Sequence, residues 1–452
     1  MFKKILIANR GEIAVRIIRA CRELDVRTVA VYSDVDRSSM HVRLADEAIC
    51  IGPAQPEQSY LSVPAILTSA EITDSEAIHP GYGFLSENPQ FAEACAASGI
   101  AFIGPSPENI RLGGDKAKAR QVMKKRGVPV VPGSDGPLDG AASALKAAKK
   151  IGFPCIIKAS MGGGGRGMKI VNSEEQVEDA YFMAQREALT GFGSSELYLE
   201  KYLQDVRHIE VQVLADTKGR IIHLGERECS IQRRHQKLIE ESPSPFVSEK
   251  LRKRLGELAI KAARAVKYKN IGTVEFMVTP AEEIYFMEFN TRVQVEHPVT
   301  EIVMGMDLVK EQILLAAGQS ITMKKIFRPR GAAIECRINA EDPDRFIPSP
   351  GTIEFLHQPG GPGIRVDTAA YCGWTVPSHY DSLIAKLIAF GSNRQEAIAR
   401  MRRALDEFVI EGIKTTIPFH KRVIENRNFQ EGRINTSFLE RMNDPEKAEV
   451  KK

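Results

Sequence analysis

The chain has 452 residues, 43% of them hydrophobic, and 62 basic residues against 58 acidic ones leave a net charge of +4. That length suits about three domains, that hydrophobic share supports packed cores rather than disorder, and so small a net charge gives no electrostatic case for nucleic acid or membrane binding. The opening "MFKKILIANRGE" carries a four-residue apolar run, too short for a signal-peptide core, and no run approaches a membrane span, so a cytoplasmic location is expected. The seven cysteines (Cys21, Cys50, Cys95, Cys155, Cys229, Cys336, Cys372) are scattered without a C-x-x-C pair and read as reduced thiols, not a disulfide or zinc framework.

In chain order, "KKILIA" reads as a buried strand and "EIAVRIIRACRELD" as an amphipathic helix, followed by the strand "RTVAVYS", the strand "EAIHPG", the helix "PQFAEACAASG" and the strand "IAFIG". Strand–helix alternation over residues 1–114 predicts a parallel sheet with helices on both faces. A second unit opens at Asp115, a candidate N-cap for "DKAKARQVMKKRG". After the linker "VPVVPGSDGP", residues 131–203 form a compact piece: a helix, the strand "PCIIKAS", a glycine loop, the strand "MKIV", a helix and "LYLEKYL". Strands then dominate ("RHIEVQVLAD", "RIIHLGERECS", "GTVEFMV", "EIYFMEFN"), interrupted by one long helix, "SEKLRKRLGELAIKAARAV". A third unit starts near Gly331 with "AAIECRINAED", then "SLIAKLIAFG" and a helix near "RQEAIARMRRALDEFV".

The glycine loop "MGGGGRGM" contains G-x-G-x-x-G through Gly162, Gly164 and Gly167. A dinucleotide fingerprint must open a helix, and here a strand follows, so this is a hairpin loop. A protein-kinase loop precedes its lysine, whereas Lys158 comes first, and no H-R-D or D-F-G triplet occurs. Glycines let backbone N–H groups approach phosphate oxygens, and Lys158 with Arg166 supplies charge, so the loop suits a triphosphate. A ligand-free surface hairpin is the bland alternative.

In "FMEFNTRVQVEHPVTE", Glu288, Asn290, Arg292, Gln294 and Glu296 fall on every second residue, which on one strand is a single polar face. Glu275 lies in a neighbouring strand pattern. Glu275, Glu288 and Asn290 offer the hard oxygen ligands that Mg²⁺ prefers beside nucleotide phosphates. Arg292 presents a planar fork suited to a small oxyanion, and Glu296 could act as a base toward it. The bland alternative is an edge strand with a solvated polar face.

Taken together, "ANRGEIAVRI", "HPGYGFLSEN", "GGGGRGM", "EKYL", "RHIEVQV", "ERECSIQRRHQK", "MEFNTRVQVEHPVTE" and "ECRINAED" resemble the biotin carboxylase family across residues 2–440. The resemblance implies an α/β fold in three parts: a Rossmann-like N-terminal domain (1–114), an ATP-grasp domain (115–325) with a glycine-rich lid at about 131–203, and an α+β C-terminal domain (330–446). It implies that ATP and bicarbonate form carboxyphosphate and that the carboxyl group passes to N1′ of biotin.

The resemblance also implies roles. Lys116 and Lys158 would contact ATP phosphates, Gly164 and Gly165 would lie over the nucleotide, and Glu200, Lys201, Tyr202 and Leu203 would hold the adenine edge. His208 would sit on the ribose side, with Gln232 and His235 helping to hold the nucleotide. Glu275, Glu288 and Asn290 would bind Mg²⁺ or Mn²⁺. Lys237, Arg292, Gln294 and the backbone of Val295 would hold bicarbonate, Glu296 would deprotonate it, and Arg337 would stabilise the biotin enolate. Two positions depart from the family pattern: Met161, where Gly or Ala is commoner, and Val206, where Pro is common.

No A-M-K-M biotin-attachment motif occurs, so biotin is expected on a separate carrier protein, with carboxyltransferase subunits choosing the final acceptor and a homodimer as the common family state. Acetyl-CoA carboxylase is the leading assignment, a pyruvate or propionyl-CoA carboxylase the alternative. Another bicarbonate-phosphorylating ligase would not need "ECRINAED", and a non-enzymatic scaffold would be expected to lose some of Lys237, Arg292, Glu296 and Arg337.

Overall fold

A computed structural model of the chain describes residues 1–160, 167–321 and 329–443. The N-terminal strand Lys4–Ile7 sits in the middle of a five-stranded parallel sheet, with Arg27–Ser33 and Glu47–Gly52 on one side and Ala77–His79 and Ala101–Phe102 on the other. Its residues alternate between two cores. Ile5 and Ile7 pack with Ile13, Ile17 and Ile18 of the helix Gly11–Arg22, whereas Leu6 packs with Ile66, Phe91 and Cys95 of helices on the other face. Helices therefore cover both faces, as a buried parallel sheet requires.

Asp115 caps the helix Lys116–Lys125, its side chain accepting from the Lys118 N–H. Beyond it, Cys155–Ala159 pairs antiparallel with Met168–Val171 and with Leu197–Lys201, backed by the helices Ala141–Ile151 and Val177–Phe192. The strands on either side of the glycine segment pair antiparallel, and the segment itself falls at residues 161–166. Met161, Gly164, Gly165 and Arg166 lie outside the described residues.

The largest sheet has eight antiparallel strands, in the order Ile284–Asn290, Asn270–Val278, Arg207–Ala215, Ile221–Arg233, Gln236–Ser242, Ala332–Asn339, Leu383–Gly391, Ile364–Thr368. It runs without a break from the strand-rich middle of the sequence into the segment beyond Gly331, because Gln236–Ser242 pairs directly with Ala332–Asn339. Odd-numbered residues of Arg207–Ala215 (Ile209, Val211, Val213) pack with Val274 and Phe276 against Leu251, Leu255 and Ala259 of the helix Glu249–Ala265. Even-numbered His208, Glu210 and Gln212 face the other way and are buried all the same. Buried charge on this scale must be paired, and the pairing builds the site.

The close packing of this sheet makes a stability prediction. Gly272 lies in Asn270–Val278, where a Cβ would meet the Tyr268 hydroxyl at 2.5 Å. Tyr268 cannot easily yield, since its hydroxyl donates to the Ile271 carbonyl at 2.8 Å and its ring lies 4.5 Å from that of Phe289. Gly272→Ala should lower the unfolding midpoint, a cost of about 1–3 kcal/mol. An unchanged or higher midpoint would contradict this packing.

Candidate active site

Strand register lines up a row of charges. Glu288 faces Glu275, Glu275 faces Glu210, and Glu210 faces Arg227 across four adjacent strands. Carboxylates directly opposite one another repel, so the row needs cations. Arg227, fully buried, donates to Glu210, to Gln212 Oε1 at 2.8 Å and to Thr300 Oγ1 at 2.9 Å. Lys237 comes from the next strand, just past a two-residue hairpin turn in which Arg234 and His235 adopt φ of 49° and 65°. Its Nζ donates to Glu210 Oε2 at 2.5 Å, Glu275 Oε1 at 2.7 Å and Glu296 Oε1 at 2.7 Å. His208, Glu210 and Glu275 also converge closely enough to suggest a metal triad, but the Lys237 ammonium already bridges its two carboxylates.

Glu296 reaches this cluster by a route that the alternating pattern did not reveal. The strand ends at Asn290, residues 291–296 are irregular, and Glu296 is the N-cap position of the helix His297–Met304. The single five-residue polar strand face expected from the sequence is therefore corrected: Glu288 and Asn290 stand on the strand, and Arg292, Gln294 and Glu296 are gathered from a loop. Tertiary contacts hold that loop in place. Val293 is buried in the core of the N-terminal sheet, and Arg292 Nε donates to Glu87 Oε2 at 2.9 Å. Arg292 Nη1 donates to Gln294 Oε1 at 2.7 Å, and the amides of Asn290 and Gln294 donate to Glu275 Oε1 at 2.8 and 3.1 Å. The Val295 carbonyl accepts from Lys386 Nζ at 2.9 Å. The second Glu296 oxygen accepts from Arg337 Nη2 at 2.9 Å, and Arg337 Nε donates to Glu240 Oε1 at 2.7 Å.

The nucleotide-side candidates extend the line. Lys116 Nζ is 2.8 Å from Glu288 Oε2. Lys158 Nζ donates to Glu200 Oε2 at 2.6 Å, and Arg120 Nε lies 3.1 Å from Glu200 Oε1. His208 is buried against the carboxylate row, with Nε2 2.9 Å from Glu275 Oε2 and Nδ1 2.6 Å from the Gln232 amide. His235 stands at the hairpin tip, where partial burial and then the charges of Lys158, Lys116 and His208 lower its pKa. Lys201 directs its ammonium to the Phe153 carbonyl at 2.8 Å, the Tyr202 N–H donates to Pro154, and Leu203 is half-buried just beyond the strand.

The electrostatics follow from this pairing. Burial works against ionisation of Glu275, yet Lys237 and His208 outweigh it and hold its carboxyl at about 2. Glu288 is likewise held at about 2, by Lys116 against burial. Burial and Glu210 both oppose the charge on Glu296, but Lys237, Arg337 and Arg227 keep its pKa below the ordinary carboxylate value. Burial pulls Lys237 down, and its three carboxylates more than reverse that. Glu240 goes the other way: burial lifts it to about 7 despite Arg337.

Family models match residues 1–110 as the biotin carboxylase N-terminal domain, 115–324 as the ATP-binding domain of the carbamoyl-phosphate synthase L chain, and 335–441 as the biotin carboxylase C-terminal domain. Biotin carboxylase 1 of Bacillus subtilis is 56% identical over 443 residues, covering 97% of this chain and 98% of that one. The chain belongs to the biotin carboxylase family. Biotin carboxylases are ATP-dependent ligases, and the grouping of acids and cations here is consistent with that class. A pyruvate carboxylase subunit of Methanothermobacter thermautotrophicus is 52% identical over 454 residues, covering 100% of this chain and 92% of that one. The biotin carboxylase domain of Hydrogenobacter thermophilus 2-oxoglutarate carboxylase, a dimer solved with MgADP, ADP and bicarbonate, superposes with a TM-score of 0.94 at 48% identity and full coverage of both chains.

Sequence reading missed Glu210, Arg227, Glu240, Glu87 and Arg120. A signal existed for Glu210, since "HIEVQV" alternates His208, Glu210 and Gln212 with three apolar residues, the mark of a polar face opposite a core face. Glu87 and Glu240 are brought to Arg292 and Arg337 only by the fold.

A pH experiment tests the carboxylate row. A free glutamate titrates near ~4.3. Carboxyls depressed to about 2 contribute stability that is complete above the unfolded value and is lost as pH falls toward the folded one. In chelator-treated protein, Glu288→Gln should therefore flatten the fall in melting temperature between about pH 5 and pH 3. Parallel falls in both proteins would contradict the assignment.

Proposed function

We propose that this chain carboxylates N1′ of biotin on a separate carrier protein, using ATP and bicarbonate, as the first half-reaction of acetyl-CoA carboxylase. The observation that carries the reading is Glu296, a fully buried carboxylate held between Lys237 at 2.7 Å and Arg337 at 2.9 Å, on the same loop as Arg292 and Gln294. A base gripped by two cations, beside a planar guanidinium, suits a small oxyanion that must give up a proton.

Bicarbonate binds to Lys237, Arg292, Gln294 and the Val295 backbone, and Glu296 takes its proton. The exposed oxygen attacks the γ-phosphorus, ADP leaves, and carboxyphosphate forms. Carboxyphosphate breaks to CO₂ and phosphate, the phosphate accepts the N1′ proton, and N1′ adds to CO₂. Arg337 stabilises the enolate of biotin while this happens. Lys116 and Lys158 hold the phosphates, Glu200, Lys201, Tyr202 and Leu203 the adenine edge, and His208, Gln232 and His235 the rest of the nucleotide. Gly164 and Gly165 cover it and keep water from the intermediate.

The residues present fit a hard divalent cation: Glu275 and Glu288 stand opposite each other in register, both held ionised, with the Asn290 amide alongside. Mg²⁺ or Mn²⁺ bound there by Glu275, Glu288 and Asn290 would neutralise phosphate charge.

The partners are a biotin carboxyl carrier protein, carboxyltransferase subunits and a second copy of the chain. The dimeric state of the Hydrogenobacter relative supports the last. Cytoplasmic location fits the sequence, and no helix among the described residues is long and apolar enough to cross a membrane. A second reading, the same half-reaction within a pyruvate carboxylase, is favoured by the full-length match to the Methanothermobacter pyruvate carboxylase chain. The acceptor reacts after biotin has left this chain. Transfer from carboxylated carrier to acetyl-CoA or to pyruvate, tested with each carboxyltransferase, separates the two.

Two substitutions test the site. Glu296→Gln should lower turnover by about 10²–10⁴-fold while ATP still binds, and ordinary turnover would remove Glu296 as the base. Arg337→Ala should depress biotin carboxylation more than bicarbonate-dependent ATP cleavage; equal losses would remove it from the biotin step.

A further inference from the structure

Lys386 is fully buried, in the strand Leu383–Gly391, and the mechanism above gives it no part. Its register partners are Arg337 on one side and Asp367 on the other, so it shares the sheet face that carries Arg337. Its Nζ donates to the Val295 carbonyl at 2.9 Å, lies 3.1 Å from Glu12 Oε1 and 4.0 Å from Asp367 Oδ2. The same Glu12 oxygen accepts from the Tyr82 hydroxyl. One ammonium thus ties together the N-terminal helix, the irregular loop 291–296 and the last sheet strands.

The bonded carbonyl belongs to the peptide that links Val295 to Glu296. No strand ladder fixes this peptide, because regular pairing stops at Asn290 and the helix begins at His297. Glu296 makes no side-chain cap bond to that helix. What sets the direction of its carboxylate is the peptide before it, together with Lys237 and Arg337. A fully buried lysine paired with a buried carboxylate is a costly way to satisfy a carbonyl, and replacing both charges by apolar groups of similar volume is often neutral or stabilising. A fixed positive point directs the peptide and cannot be replaced by looser solvation.

We propose that Lys386 is a positioning residue for Glu296: by holding the Val295 carbonyl and Glu12 together, it aims the Glu296 carboxylate between Lys237 and Arg337. The inference rests on Glu296 being the base. It predicts that removing the Lys386 charge leaves the nucleotide side intact, since neither Lys116, Lys158 nor Glu200 touches it, and slows the proton-dependent step.

The test uses the full-length chain with Lys386→Met, Lys386→Gln and Lys386→Arg, and with Glu296→Gln measured in parallel. ATP-binding stoichiometry counts the folded sites in each preparation. Per folded site, kcat for bicarbonate-dependent ATP cleavage should fall by about 100-fold in the Met variant, the scale of a small misplacement of a catalytic group. KM for ATP should stay within about twofold, and Lys386→Arg should recover part of kcat. A merely structural role would lower the number of sites and leave kcat per site unchanged. If Lys386→Met does not fold, Lys386→Gln, which keeps a donor for the Val295 carbonyl without the charge, carries the same comparison. Ordinary kcat per site in the Met or Gln variant, with Glu296→Gln inactive, overturns the inference alone. An active Glu296→Gln overturns the reading on which it rests.

Discussion

One ammonium group holds the site together. Lys237 touches Glu210, Glu275 and Glu296, carboxylates that sequence and register force into close company. Without it the row Glu288–Glu275–Glu210 would set like charges opposite one another in a buried sheet. Arg227 closes one end of the row and Lys116 the other. The outcome is a line of charge running from Arg337 through Glu296, Lys237 and the adjacent carboxylates Glu275 and Glu288 to Lys116. Such a line costs stability to bury, and apolar residues of similar volume would stabilise the sheet better. It fits the proposed chemistry, which asks for ionised oxygens to hold a cation at one end and cations to hold an oxyanion at the other.

The fold serves this line by clamping a loop that has no secondary structure of its own. Residues 291–296 are anchored by Val293 in the N-terminal core, by Glu87 on Arg292, by Lys386 on the Val295 carbonyl, and by Lys237 and Arg337 on Glu296. Those anchors come from every part of the chain. The continuous eight-stranded sheet makes this possible, because it carries Glu275 near one edge and Arg337 and Lys386 near the other without a flexible joint between them.

Much of this was legible in the residues. Strand–helix alternation announced the parallel N-terminal sheet, and period-two patterning placed Glu275 and Glu288 on adjacent strands. "MKIV" read correctly as a strand, and it pairs antiparallel with Cys155–Ala159. The same period misled beyond Asn290, where five alternating polar residues looked like one strand. Local pattern could not show that the chain leaves the sheet there, since the cause is Val293 entering a core formed some 280 residues earlier in the sequence. Arg227 stands inside the quoted "ERECSIQRRHQK" without a role read for it, and Glu240 and Lys386 carry no motif. All three are buried charges, and only register reveals what they face.

The central claim is that the grouped acids and cations carboxylate biotin. The direct measurement is incorporation of labelled bicarbonate into biotin by the purified chain with MgATP, alongside ADP release. Acid-labile carboxybiotin is expected, formed only when ATP, bicarbonate and biotin are all present, with ADP release accelerated by biotin. Bicarbonate-dependent ADP release that is indifferent to free biotin and to biotinylated carrier, with no labelled biotin formed, would contradict it.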